Sequence, residues 1–300
     1  MKGARDGRVS VVVATFNRRR ELLHTLAQLS ALPERPLVVV VDNGSSDGTP
    51  EAVRRDHPDV EHVAAPPASG PAGRNLGVAR VDAPYVAFAD DDSWWAPGAL
   101  SAAADMFERH PQAGLLAAKV LVGPEQRTDA MSEVMARSPI PPHHHLPGVP
   151  VMGFLACAAV VRRGAFEDVG GFHSLAHFGG EETLLAVDLA DAGWGLAYVE
   201  DLVAFHHPSS VRHAGRRRAA QLWNQLLRAW LRFPAPQAVE ATRKVLASAA
   251  ASRSWSVLSM VVRHGPAVLR QRTVVRATVM RDLALIGEVP ASVGRAAGGP

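Results

Sequence analysis

Three consecutive carboxylates, Asp90, Asp91 and Asp92, follow a short apolar run, Val86-Ala87-Phe88, in the stretch YVAFADDDSWW at 85 to 95. Adjacent carboxylates repel one another, so such a cluster is usually neutralised by a cation or by hydrogen-bonded hydroxyls. Oxygen donors suit Mg²⁺ or Mn²⁺, hard octahedral ions that keep positions open for substrate phosphates. The plain alternative is a solvated acidic turn before a helix that begins near Pro97. Other polar groups stand in similar places. Thr15, Asn17 and Arg18 follow the apolar run 9–15, and Asp42 and Asn43 follow 37–41. Glu181 and Glu182 come directly after Gly179-Gly180, and His206-His207 closes the run 197–205.

The elements that must position these residues alternate. Apolar, strand-length runs at 9–15, 37–41, 60–64, 85–89, 115–122 and 197–205 are separated by periodic, helix-like segments at 21–32, 50–56, 72–81, 97–109 and 183–192. That alternation predicts an α/β fold with a mostly parallel sheet covered on both faces. Ligands of such sheets gather at the C-terminal strand ends. Thr15, Asn17, Asp42, Asn43 and Asp90 to Asp92 should therefore line one crevice. For any one of them a helix cap or turn is the simpler reading, and three strand ends together argue for a site. No GxGxxG or GxxxxGK[ST] follows any of these strands, which argues against dinucleotide oxidoreductases and P-loop NTPases. The proline-rich stretch 128–150, with His143, His144 and His145, reads as a solvated loop, and 151–161 as a buried segment beside the sheet.

Composition sets the bounds. With 300 residues, 47% hydrophobic and 20% charged, the chain can bury a core, and wholesale disorder is excluded. A lone cysteine, Cys157, rules out an intrachain disulfide and makes a reducing, cytoplasmic compartment the expectation. The start, MKGARDGR, lacks the features of a secretory signal, and no uncharged, proline-free segment is long enough to span a bilayer. Charge divides near residue 210: residues 211–300 carry 15 Lys and Arg against 3 Asp and Glu, a net +12, and the remainder is −9. Two units are expected, 1–210 and a helical basic region, 211–300.

The motifs VSVVVATFNR (9–18), VVVVDNGSSDGT (38–49), GRNLGVARVDAPYVAFADDD (73–92) and GGEETLLAVDLADAGW (179–194) together resemble the family 2 glycosyltransferases, whose fold is the GT-A type. The resemblance covers residues 8 to 208. It implies an inverting enzyme that takes a sugar from a nucleotide-diphosphate sugar. It places Thr15, Asn17 and Arg18 at the diphosphate and base edge, Asp42 with Asn43 on the base, and Arg74 with Asn75 beside the nucleotide. Asp90 and Asp91 fall near the ribose or sugar, and Asp92 on a Mn²⁺ or Mg²⁺ ion. His206 matches a histidine that contacts metal or diphosphate, and neighbouring His207 competes for that role. Glu181-Glu182 matches a Glu-Asp pair whose second member is the general base, so Glu182 leads and Glu181 is second.

Such chemistry needs a stabilised leaving diphosphate and a carboxylate that deprotonates the acceptor hydroxyl. The donor is expected to be of the UDP or dTDP type, and the acceptor is open. A nucleotidyltransferase and a non-catalytic nucleotide-sugar binder are the alternatives from other classes. In the basic region, Leu222, Trp223, Leu226, Leu227, Trp230 and Leu231 recur at helical spacing, with Arg216 to Arg218, Arg228 and Arg232 on other faces. A second amphipathic helix is expected over 267–286. These helices fit an anionic membrane surface, or else packing on the catalytic unit or a second subunit. A nucleic-acid partner is not expected, because nothing in the chain provides a base-reading motif.

Overall fold

Valine-rich segments make interior strands of the sheet because β-branched side chains pack well on a pleated surface buried on both faces. The computed structural model describes residues 6–67, 69–208 and 214–289, with the side chains of 214–217 left out. In it, β1 (Val9–Thr15) and β2 (Leu37–Asp42) pair in parallel, and Val11 to Val13 and Val39 to Val41 are fully buried. Strands β3 (Glu61–Ala64) and β4 (Tyr85–Asp90) extend the parallel run on either side. The crossovers are α1 (Arg19–Ser30), α2 (Thr49–Asp56) and α3 (Gly73–Val78). Helix α3 lies flush on the sheet at Gly77, where a Cβ would stand 2.5 Å from Val12 Cγ1 and 2.8 Å from Val41 Cγ2.

The second half departs from a mostly parallel sheet. After β5 (Ser93–Trp95) and α4 (Ala99–Arg109) come β6 (Ala113–Val122), β7 (Arg127–Thr128), α5 (Ala130–Ala136), β8 (Val149–Pro150) and β9 (Ala159–Arg162). Then follow α6 (Arg163–Asp168), α7 (Glu182–Asp191) and β10 (Gly195–His206). The strand order is β3-β2-β1-β4-β9-β6-β10-β5, with β7 on β6 and β8 on β10. Strand β9 runs antiparallel between β4 and β6. The reason is where the chain re-enters: the excursion 123–158 leaves and rejoins the sheet at the same edge, so its last segment must run backwards. The segment 151–161, expected only to be buried beside the sheet, supplies that strand, and 128–150 contains helix α5 rather than loop alone. His143, His144 and His145 are exposed, as a solvated stretch predicts.

Two apolar layers cover the sheet. Leu22, Leu26, Leu29, Leu100 and Phe107, from α1 and α4, pack on one face. Val78, Phe166, Leu185 and Leu189, from α3, α6 and α7, pack on the other.

The C-terminal region is helical: α8 (Ala214–Arg232), α9 (Ala235–Ser252), α10 (Ser256–Arg270) and α11 (Ala277–Leu285). Its apolar faces differ from expectation. Leu222, Trp223, Leu226, Leu227 and Leu231 of α8 are buried against Leu184 of α7, Val245 of α9, and Val257 and Val268 of α10. That face of α8 is core and does not meet a membrane. Arg216 and Arg217 lie outside the described side chains. The helix expected over 267–286 is two helices, because the β-branched run Thr273-Val274-Val275 is extended there. Its amides donate to the last carbonyls of α8, Thr273 N to Leu231 O and Val275 N to Arg232 O, both at 2.9 Å.

Candidate active site

Parallel pairing fixes which strand ends meet. Thr15 stands opposite Asp42, and Ala14 opposite Asp90, so the ends of β1, β2 and β4 share one edge. The chain turns at Asp91-Asp92, closed by Ser93 Oγ accepting from Asp90 N at 2.8 Å, and β5 then pairs antiparallel with β10. A bulge between Val199 and Val203 sets the register of β10 so that His206 stands opposite Ser93. The His206 imidazole thereby reaches Asp92, with Nε2 to Oδ1 at 3.2 Å. His207 is held differently. Its backbone N donates to Asp92 O at 2.8 Å, and its ring packs edge-on against Trp94 with centroids 4.7 Å apart. A hollow of about 280 Å³, lined by Arg20, Glu21, His24, Asp92 and His207, opens beside this turn.

The three carboxylates have three different surroundings. Asp90 is the most exposed, and its Oδ1 accepts from Arg74 Nη2 at 2.5 Å. Asp91 points into the protein, where Oδ2 accepts from Thr15 Oγ1 at 3.1 Å and Oδ1 meets Arg18 Nη1 at 2.9 Å. Burial drives the Asp91 carboxyl up to about 7 against the pull of Arg18. Asp92 is buried too, yet the hydrogen bond and charge of His206, with Arg18 Nη1 at 2.7 Å from Oδ2, hold its carboxyl at about 2. Thr15 and Asp91, expected at the donor, are thus tied to each other beneath the crevice.

Arg74 joins this cluster to the second acidic pair. It is 1% exposed, with its guanidinium carbon 5.4 Å from the Phe172 ring centroid and 5.3 Å from that of Phe178. On one side it holds Asp90; on the other, Nη1 is 3.6 Å from Glu181 Oε1. Arg74 Nε and Nη1 have no hydrogen-bond partner in the protein, so a buried cation keeps donors in hand. Asn75, expected beside the nucleotide, exchanges hydrogen bonds with the Phe172 backbone, its Nδ2 donating to Phe172 O at 2.9 Å and its Oδ1 accepting from Phe172 N at 3.0 Å.

Glu181 and Glu182 part company at the start of α7, since adjacent helical residues point about 100° apart. Glu181 is buried, and its Oε2 accepts from Gly179 N at 2.6 Å. Burial and the neighbouring Glu182 charge push its carboxyl upward, with Arg74 opposing. Glu182 is partly exposed and makes one long contact, Oε1 from Ala156 N at 3.4 Å. Gly179 and Gly180 have φ of 116° and 89°, a conformation that side chains rarely adopt, and this bends the chain sharply into α7.

The strand-end loops at the base edge are internally bonded. Asp42 Oδ1 accepts from Gly44 N and Ser45 N at 3.1 and 2.7 Å, while its Oδ2 lies 3.4 Å from His62 Nε2. Asn17, at φ 53°, accepts from Ser46 N at 2.7 Å and pins the two loops together. Asn43 N donates to Thr15 O at 3.0 Å, and its buried Oδ1 is unpartnered.

Two features escaped the sequence reading. The rings of Phe172 and Phe178 around Arg74 carry no motif of their own. Asn224 is legible in retrospect as a lone amide within the apolar face of α8. Its Oδ1 accepts from His177 N and its Nδ2 donates to Gly179 O, both at 3.0 Å, so α8 grips the loop that delivers Glu181.

Asp92 and His206 fit a divalent ion. They are a carboxylate and an imidazole whose donor atoms converge, a set that Mn²⁺ accepts readily. Among the described residues no group of three acidic, histidine or cysteine side chains stands in metal-holding geometry.

The sequence pattern of Glycosyl transferase family 2 matches residues 10–170. The chain is 28% identical over 256 residues to N-acetylglucosaminyl-diphospho-decaprenol L-rhamnosyltransferase of Mycobacterium tuberculosis, covering 71% of this chain and 79% of that one. Among solved structures it is similar to S. aureus TarS 1-349 in complex with UDP-GlcNAc, with TM-score 0.58 and 17% identity. That match covers 74% of this chain and 65% of TarS 1-349, just under two thirds of its length. It is also similar to the mannosyltransferase PcManGT of Pyrobaculum calidifontis in complex with GDP-Man and Mn²⁺, with TM-score 0.56 and 20% identity over 96% of this chain and 87% of that one. These likenesses establish the GT-A-like fold. With the family pattern running through more than half of its length, the chain belongs to glycosyl transferase family 2.

Proposed function

We propose that this glycosyltransferase moves a sugar, with rhamnose the leading candidate, from a UDP- or dTDP-type donor to a hydroxyl of a lipid-linked diphosphate acceptor, with inversion. The observation that carries the reading is Arg74. One buried guanidinium spans Asp90, on the side where a leaving diphosphate would lie, and Glu181, next to the carboxylate that would activate an acceptor. Both halves of a displacement thus fall within reach of one residue. The relative's sugar and acceptor support the choice of rhamnose and of a diphospho-lipid.

Each residue then has a task. Glu182, the freer of the two acids, takes the proton of the attacking hydroxyl as the new bond forms. Glu181, buried and bonded to Gly179 N, orients that end of α7 and fixes Arg74. Arg74 offers its positive charge to the departing diphosphate. Asp92 and His206 would hold Mn²⁺ or Mg²⁺, which when bound supplies Lewis-acid stabilisation of that same charge. A single displacement, with base and leaving group on opposite faces of the sugar, inverts the anomeric centre.

The test is a panel of nucleotide sugars incubated with Mn²⁺ and an N-acetylglucosaminyl-diphospho-polyprenol. Release of nucleoside diphosphate from one donor, dependent on the acceptor, is expected. Release of pyrophosphate, or turnover indifferent to the acceptor, would overturn the reading.

A further inference from the structure

Helix α10 carries an apolar stripe that the fold leaves uncovered. Trp255, just before the helix, and Leu258, Val262 and Leu269 on it are 53%, 41%, 81% and 58% exposed. At 3.6 residues per turn these four, with exposed Pro266, fall within an arc of about 80°. The opposite side is anchored, since Val257 and Val268 are buried, and Met260 partly so, against α8. Among the described residues the stripe is thus the outward face of a helix already anchored on its other side. Exposed Arg263 and Arg270 run along one edge of it.

The charge around the stripe says what it fits. From Ala241 to Arg281 the chain has eight Lys and Arg and no Asp or Glu. A protein partner could match any charge pattern. Arg263 and Arg270, set beside an apolar, tryptophan-bearing stripe in a stretch without carboxylates, complement an anionic lipid surface in particular. The helix would lie on such a surface, because among the described residues no helix is long and apolar enough to cross a membrane. The same helix packs on α8, whose Trp223 Nε1 donates to Leu175 O at 2.7 Å and whose Asn224 holds the loop leading to Glu181. Docking there would put the lipid surface behind the loop that presents the acidic pair.

We propose that the exposed face of α10, Trp255, Leu258, Val262 and Leu269 flanked by Arg263 and Arg270, binds an anionic membrane surface. The proposal goes beyond the sugar transferred and is tested without activity. The full chain is sedimented at low salt with phosphatidylcholine vesicles, with or without phosphatidylglycerol. Recovery with the anionic vesicles alone is expected. Arg263→Gln with Arg270→Gln should weaken that partition by about 30-fold, taking about 1 kcal/mol per basic residue near an anionic surface. Val262→Asp with Leu269→Asp should abolish it, and Trp255→Phe should remove a vesicle-induced blue shift in tryptophan emission. Unchanged melting and far-UV circular dichroism verify that each variant is folded. Equal recovery with neutral and anionic vesicles overturns the proposal. So does a wild-type dimer that Val262→Asp with Leu269→Asp dissociates without any vesicle binding, which would assign the face to a second copy.

Discussion

Replacing Glu182 by glutamine removes a proton acceptor and little else. The carboxyl makes one contact, from Ala156 N at 3.4 Å, which is at the long end for a hydrogen bond. Its loss should cost less than about 1 kcal/mol of stability, and the amide oxygen can take over the contact. Loss of a general base costs about 10²- to 10⁴-fold in rate, or roughly 3 to 5 kcal/mol in the barrier. The variant should thus melt near wild type, bind donor normally and turn over at least about a hundredfold more slowly. Glu181→Gln should behave in the opposite way. It alters a buried carboxyl beside Arg74 and weakens the acceptor of the 2.6 Å bond from Gly179 N, so stability falls more than turnover. Calorimetric donor titration, stopped assays of nucleoside diphosphate release, and melting of both variants decide the matter. Near-normal turnover of Glu182→Gln beside an inactive but folded Glu181→Gln would refute this division of labour.

Asp92→Asn should leave circular dichroism unchanged and remove stimulation by Mn²⁺; full Mn²⁺-dependent turnover of the folded variant would exclude Asp92 as a ligand. Asp91 tests the electrostatics of the turn. Its folded carboxyl sits near 7 instead of 3.8, so its contribution to stability is fully present below about pH 3.8 and is lost as pH rises through about 7. Asp91→Asn should therefore gain about 2 to 3 kcal/mol on wild type between pH 5 and pH 8 in urea melts, and a difference independent of pH would show that Asp91 is not held in that state. Gly77→Ala forces a methyl to within 2.5 Å of Val12 Cγ1 and should cost about 1 to 3 kcal/mol, less some gain in helix propensity; an unchanged melting temperature would mean that α3 does not sit so close to β1.

Strand ends were the most legible part of the chain. A valine run such as Val38-Val39-Val40-Val41 is a buried central strand on composition alone, and the residue after it must lie at the C-terminal edge. Which way side chains point beyond that edge was not legible. Asp91 and Asn75 sit inside matched motifs, yet a turn of one residue decides whether a side chain enters the crevice or bonds to Thr15 or Phe172. His206 was separable from His207 only through the bulge in β10, which sets register across the sheet. Strand β9 was missed because Ala159 to Arg162 is too short for periodicity to show, and its direction depends on where a long excursion rejoins the sheet. In the C-terminal region the helical period was visible, but period says nothing of what covers the apolar face. The conspicuous face of α8 is core, and the less conspicuous one of α10 is exposed.

The most direct test of the proposed reaction is the anomeric configuration of the product, read by NMR from the one-bond carbon–proton coupling of the transferred sugar. Single displacement assisted by Glu182 predicts a product with the configuration opposite to that of the donor. A product with the donor's own configuration would contradict the account, since retention needs a second displacement or a front-face path that a lone base at Glu182 does not provide.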